Sequence, residues 1–169
     1  QLREDQPAHR PLVAAHAKPW PGEVAVYRSA ATDGFALLTT FGTRARMGVL
    51  AADFYAGPVS RFDLGNALVV DLNSGTLESV TDITLLGGAN ALAVETGAGQ
   101  WEIVQAGVAE LIAPGRYRLT RLLRGQRGTE GAIVSMVPTG ARVVVLDTAV
   151  TPLPISEADL GLPWNWRIG

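Results

Sequence analysis

At 169 residues the chain is long enough for one domain with a real core, or for one domain with a tethered arm. Hydrophobic residues make up 47% against 18% charged, a balance that fits surface covered by neighbouring domains or subunits, yet no run of about 18 apolar residues free of charge, Gly or Pro exists to cross a membrane as a helix. A net charge of −2 supplies no field toward nucleic acid or an anionic membrane, and the absence of cysteine excludes disulfides, thiolate metal sites and a cysteine nucleophile.

Nineteen Gly and ten Pro, set among Val, Leu, Thr and Ala, favour short strands and turns over long helices. Residues 1–22 read as a polar leading linker that becomes an edge strand around the apolar run Leu12–Ala17. They lack the apolar stretch of a signal peptide. Glu23–Ser29 alternates apolar and polar residues, and the turn Thr32-Asp33-Gly34 joins it to Phe35–Phe41 as a hairpin. Arg46–Ala51, Asn66–Leu72, Asp82–Leu86 and Ala91–Thr96 come next as strand candidates, separated by glycine-bearing turns at roughly ten-residue spacing.

Trp101–Ala106 and Arg116–Leu123 flank Pro114-Gly115 as a long hairpin. Val108–Ile112 continues its first arm, with a bulge expected at Gly107. Arg142–Leu146 reads as a buried strand. Helix is confined to single turns near Thr129–Val134 and Ser156–Leu160, the latter with Ser156 as N-cap. The expectation is an all-β chain, an antiparallel sandwich or partly open barrel with short helical turns. A β-rich module over 23–169 is foreseen, with a division into two subdomains near residue 60. Starting at Gln1 without a methionine, the chain reads as an excised piece of a larger protein.

Four residues stand out as binding candidates. In Leu123-Arg124-Gly125-Gln126-Arg127-Gly128-Thr129, the two glycines can take φ > 0 and aim Arg124 and Arg127 at one target, with Thr129 capping the turn after it. An anion cradle is one reading, but the spacing lacks the phosphate-loop pattern. The other is a tight loop whose guanidiniums bond nearby carboxylates, with Glu102, Glu110 and Asp147 as the named partners. Trp164 and Trp166 alternate on one strand face and, with Trp20 and Trp101, offer either a sugar-stacking platform or ordinary packing.

The remaining chemistry is sparse. Asp53, Asp63, Asp71, Glu78, Asp82, Glu95, Glu102 and Glu110 are scattered too evenly to name a catalytic pair. His9 and His16 are the only imidazoles, and a serine triad or zinc site would have to recruit them from the leading arm. Asp71–Gly75 resembles half a calcium loop and reads better as a hairpin turn. No cofactor, metal or catalytic residue is expected.

The order of short motifs carries a resemblance. These are Pro19-Trp20-Pro21-Gly22 with Val24–Arg28, Ala56-Gly57-Pro58-Val59-Ser60-Arg61, Leu77-Glu78-Ser79-Val80, Leu86–Ala91, Trp101-Glu102-Ile103, and above all Tyr117–Glu130, with Gly140-Ala141-Arg142 after it. In this order they resemble the C-terminal region of the large baseplate, or tail-tip, protein of alphaproteobacterial gene transfer agents, and the related phage tail protein family of siphophage tail tips. The resemblance spans about residues 19–169. It implies a structural part at the end of a tail tube, assembled in the bacterial cytoplasm and located in the particle. Its partners would be other tail or baseplate proteins, tail fibres or a host-surface glycan, and a homotrimer is the symmetry the family analogy brings. Suspected catalysis in such proteins lies in other domains, so no catalytic residue carries over. A glycan-binding module is the rival reading, and a wall hydrolase a third that rests only on the scattered carboxylates.

Overall fold

The structure is a computed structural model that describes residues 9–169; the first eight residues of the expected linker lie outside the described residues. In chain order the strands are β1 (Leu12–Val13), β2 (Val24–Ser29), β3 (Ala36–Phe41), β4 (Met47–Leu50), β5 (Phe54–Tyr55), β6 (Phe62–Asp63) and β7 (Leu68–Leu72). After the helix α1 (Asp82–Leu86) come β8 (Ala91–Gly97), β9 (Gln100–Ala113), β10 (Arg116–Leu123), β11 (Met136–Val137), β12 (Arg142–Val145), β13 (Thr151–Pro152) and β14 (Asn165–Ile168). Short 3-10 turns occupy Gln126–Gly128, Glu130–Ala132 and Glu157–Asp159.

The chain is all-β and folds as two compact units, one formed by Arg46–Asp147 and the other by the segment ending at Ala45 together with Thr148–Gly169. The boundaries therefore fall at 45/46 and 147/148 rather than near residue 60. They track strand pairing between distant parts of the chain, which no local composition shift marks.

The Arg46–Asp147 unit is a closed, six-stranded antiparallel barrel in the order β4-β12-β8-β9-β10-β7, with β7 returning to β4 and β6 paired onto the end of β10. Closure removes the sheet edges that a partly open barrel would have to protect. Period-two alternation fills the interior with Leu68 and Val70, Leu92 and Val94, Val104 and Ala106, Tyr117 and Leu119, and Val143 and Val145. Gly48 lies where β4 meets β7, and a Cβ there would run into the Asp71 carbonyl.

Two local features depart from expectation. Asp82–Leu86, expected as a strand, is a helix: the Thr81 hydroxyl accepts from the Thr84 amide, Asp82 sits in the first turn, and Gly87-Gly88 ends it. One apolar residue, Leu85, faces inward; Ile83 and Leu86 face solvent. At Gly107, β9 stays continuous, because the irregularity is shared across the hairpin. Thr120 pairs with Val108 and Leu122 with Ala106, yet Leu119 and Leu122, three apart, both enter the core, as do Ala106 and Ala109 opposite. Both strands switch faces together. Arg121 takes φ +55° to do it, and Gly107 leaves room for the Arg121 stem and Leu85.

In the other unit, β2 and β3 form the expected hairpin and β14 adds on the far side of β2, giving the order β14-β2-β3. Its core joins Val26, Phe41 and Leu153, with Val13, Ala15, Leu38 and Ile155 packed against them. The Leu12–Ala17 run supplies β1, which pairs with β13. Ser156 caps the last 3-10 turn through reciprocal bonds with Asp159.

Candidate functional site

Arg124 leaves the end of β10 and points inward, because the face switch at Arg121 gives it the same side as Leu122. It is 2% exposed. Its Nε and Nη2 donate to the two carboxylate oxygens of Glu102 at 2.7 and 2.9 Å, a bidentate fork. Its Nη1 donates to Asp63 Oδ2 at 3.1 Å and to the Tyr55 carbonyl at 2.9 Å, while the guanidinium lies 4.0 Å over the Phe54 ring. One cation thus joins β5, β6, β9 and β10. A Cβ at Gly57 would strike the Asp63 carboxylate and the guanidinium, so the cluster has no spare volume.

Asp63 is the hub of the acidic side. Burial pushes its carboxyl up, but the Asn66 side chain and amide, Arg124 and the Gly65 amide outweigh burial and hold it below the ordinary aspartate value. Glu102 also accepts from the Gly125 amide at 3.2 Å. A lone buried carboxylate or guanidinium would be strongly unfavourable, so the chemistry of this arrangement is mutual neutralisation.

The next loop is pinned to the barrel by Thr129. Its hydroxyl accepts from the Ile103 amide at 2.9 Å and donates to the Gln126 carbonyl at 2.8 Å, so it clamps the loop instead of capping the turn after it. Gly125 and Gly128 take φ +59° and +75°, and Arg127 itself sits at φ +58°. Arg127 is exposed where Arg124 is buried. Of the partners named from sequence, only Glu102 binds Arg124; Asp147 pairs with Arg46 at 2.8 Å, and Asp63 was not foreseen. The legible hint was Asp63-Leu64-Gly65-Asn66, whose spacing lets an aspartate accept from its own downstream amides.

On the barrel exterior, carboxylates meet arginines across strands. Arg116 forks onto Asp71, Arg121 onto Asp82 and Arg142 onto Glu95. Hydrogen bonds from the guanidiniums hold each acid below its usual range and raise each arginine. Asp71 is thereby engaged by Arg116, not left for a calcium loop. Among the described residues no group of three or more His, Asp or Glu is placed to hold a metal.

The tryptophans differ in their surroundings. Trp164 is half-buried beneath the Arg28 guanidinium at 4.3 Å, and its indole N–H is buried without an acceptor. Arg28 Nη1 also lies 3.0 Å from Asp159, close enough for an ion pair though off the angle of a hydrogen bond. Trp166 is exposed on β14, and Trp101 belongs to the barrel, 5.6 Å from Arg142. Sequence reasoning passed over Tyr27, Phe35 and Arg167 in the β14-β2-β3 unit, which line a concavity of about 380 Å³. The Arg167 guanidinium is 4.0 Å over the Phe35 ring.

Residues 45–144 match the family model described as Rcc01698-like, C-terminal. The match covers more than half the chain and coincides almost end to end with the barrel unit. No curated protein matches the chain.

Proposed function

The chain belongs to the Rcc01698-like C-terminal family, and from that premise we propose that it is a structural module of a phage-like tail tip, docking against other tail or baseplate proteins or fibres. The tail-tip assignment comes from the motif order over residues 19–169, in a gene-transfer-agent or prophage particle. The single observation that favours docking is the set of large apolar side chains the barrel leaves in solvent. Ile83 is 85% and Leu86 68% exposed on α1, and Leu111 and Ile112 stand out on β9. Polar groups, by contrast, are tied into the scaffold through Arg124, Arg116, Arg121 and Arg142. The module's work is then to hold a shape for its neighbours, with a homotrimer as one arrangement in the particle.

Ile83→Asp with Leu86→Asp tests this. The double variant should melt like the parent chain, because neither side chain is in the core, yet fail to enter particles or to retain purified tail components. Normal incorporation and binding would overturn the docking role of this surface.

A second reading, recognition of a host-surface glycan, gains little from Trp164, which is half-buried beneath the Arg28 guanidinium. The concavity beside Arg167 favours it instead.

A further inference from the structure

We propose that the face of the three-stranded sheet bearing Tyr27, Phe35 and Arg167 is a binding site for an acidic sugar residue of the uronate class. The proposal rests on glycan recognition as the second reading of function and names its ligand chemistry.

The contrast among the ring-stacked arginines is what singles out Arg167. Arg28, Arg121, Arg124 and Arg142 each lie over an aromatic ring and also sit within ion-pair distance of a carboxylate. Arg167 lies 4.0 Å over Phe35 and has no such carboxylate among the described residues. Stacking immobilises a guanidinium while leaving its N–H edge free, the arrangement that prepares it for a bidentate carboxylate. Strand register supplies the rest. Arg167 pairs directly with Tyr27, and Tyr27 with Leu37, so these three share one face of the sheet. The result is an open concavity of about 380 Å³ lined by Tyr27, Phe35, Arg167, Ile168 and Gly169, with a stacked cation on one side.

A hexuronate matches this chemistry better than a simple anion. Its carboxylate sits directly on a ring whose C–H face can lie on the Tyr27 side chain while the carboxylate meets Arg167, which covers the Phe35 ring. A neutral sugar would leave the guanidinium without its acid, and an acidic peptide would bring the charge on a flexible stem with no ring to stack.

The test is calorimetric titration of the 169-residue chain with a galacturonate oligomer, a neutral galactose oligomer of equal length and an oligoglutamate of equal charge. The expected result is binding of the uronate, at least about tenfold weaker binding of the other two, and a loss of at least about tenfold in Arg167→Gln. Arg118→Gln, an exposed arginine of the barrel, should change nothing. Arg167→Lys, which keeps the charge but not the fork, should also weaken uronate binding, and Phe35→Leu likewise; together they keep the site testable if Arg167→Gln perturbs folding. Equal binding of neutral and acidic oligomers would overturn the acidic-sugar assignment while leaving glycan recognition standing. Equal binding of oligoglutamate would overturn it in favour of a general anion site. No binding of any sugar would overturn both.

Discussion

Replacing Arg124 with methionine removes the cation but keeps an unbranched side chain in the space. The cluster is left with a buried Glu102 holding one amide bond from Gly125, a buried Asp63 holding the Asn66 and Gly65 bonds, and the Tyr55 carbonyl without the guanidinium. Removing one partner of a buried ion pair typically costs about 3–5 kcal/mol, because the opposing charge stays desolvated. For a folding unit near 100 residues each kcal/mol is worth roughly 4–8 °C, so the barrel transition should fall by at least about 12 °C in calorimetry or far-ultraviolet circular dichroism. The pH dependence has a definite sign. In the native chain the folded Asp63 carboxyl lies below its ordinary value of 3.8, so its contribution is complete above that pH and is lost as pH falls through the folded value. In Arg124→Met burial acts with less opposition and moves that carboxyl up, so acidification from neutrality should narrow the gap between variant and parent. Adding Glu102→Gln to Arg124→Met should recover part of the loss. A variant melting within about 3 °C of the parent, with an unchanged pH profile, would refute the view that this buried cluster holds β5, β6, β9 and β10 together.

The same geometry sets further outcomes. Gly57→Ala should destabilise by about 1–3 kcal/mol, read by urea denaturation, since its Cβ meets the Asp63–Arg124 contact; a neutral effect would mean the cluster can shift. Thr129→Val should cost about 1 kcal/mol and speed hydrogen exchange at the Ile103 amide, which would otherwise stay as protected as its neighbours. A fragment spanning 46–147 should melt cooperatively without the rest of the chain, because its strands close on themselves and Arg46 bonds both Asp147 and the Thr76 carbonyl; dye binding typical of a loose globule would contradict this. Arg116→Ala, by contrast, should shift the melting temperature little, as its pair with Asp71 is solvent-exposed.

Most strands were legible because alternation and glycine turns are local signals. The β2–β3 hairpin, β4, β7, β10 and β12 all fall inside the segments that those signals mark, and β8 runs one residue past its own. Barrel closure was not legible, since it depends on β4 meeting β7 and β12, pairings that join residues far apart in sequence. The helix at Asp82–Leu86 was hidden by a short apolar run that either element could use; the Thr81-Asp82 start and Gly87-Gly88 stop were the signals that decided it. The arginine loop was half read. Glu102 was foreseen as a partner of Arg124, but Asp63 reaches it only through the pairing of β6 with β10. Arg167 was passed over because stacking on Phe35 depends on β14 joining β2, which no spacing in the chain announces.

The most direct test of the proposed docking role is hydroxyl-radical footprinting of the chain alone and within the phage-like particle proposed to carry it. The account predicts that Ile83, Leu86, Leu111 and Ile112 lose reactivity in the particle while exposed residues elsewhere on the barrel, such as Arg118, keep it. Equal reactivity of those four side chains in both states would contradict it.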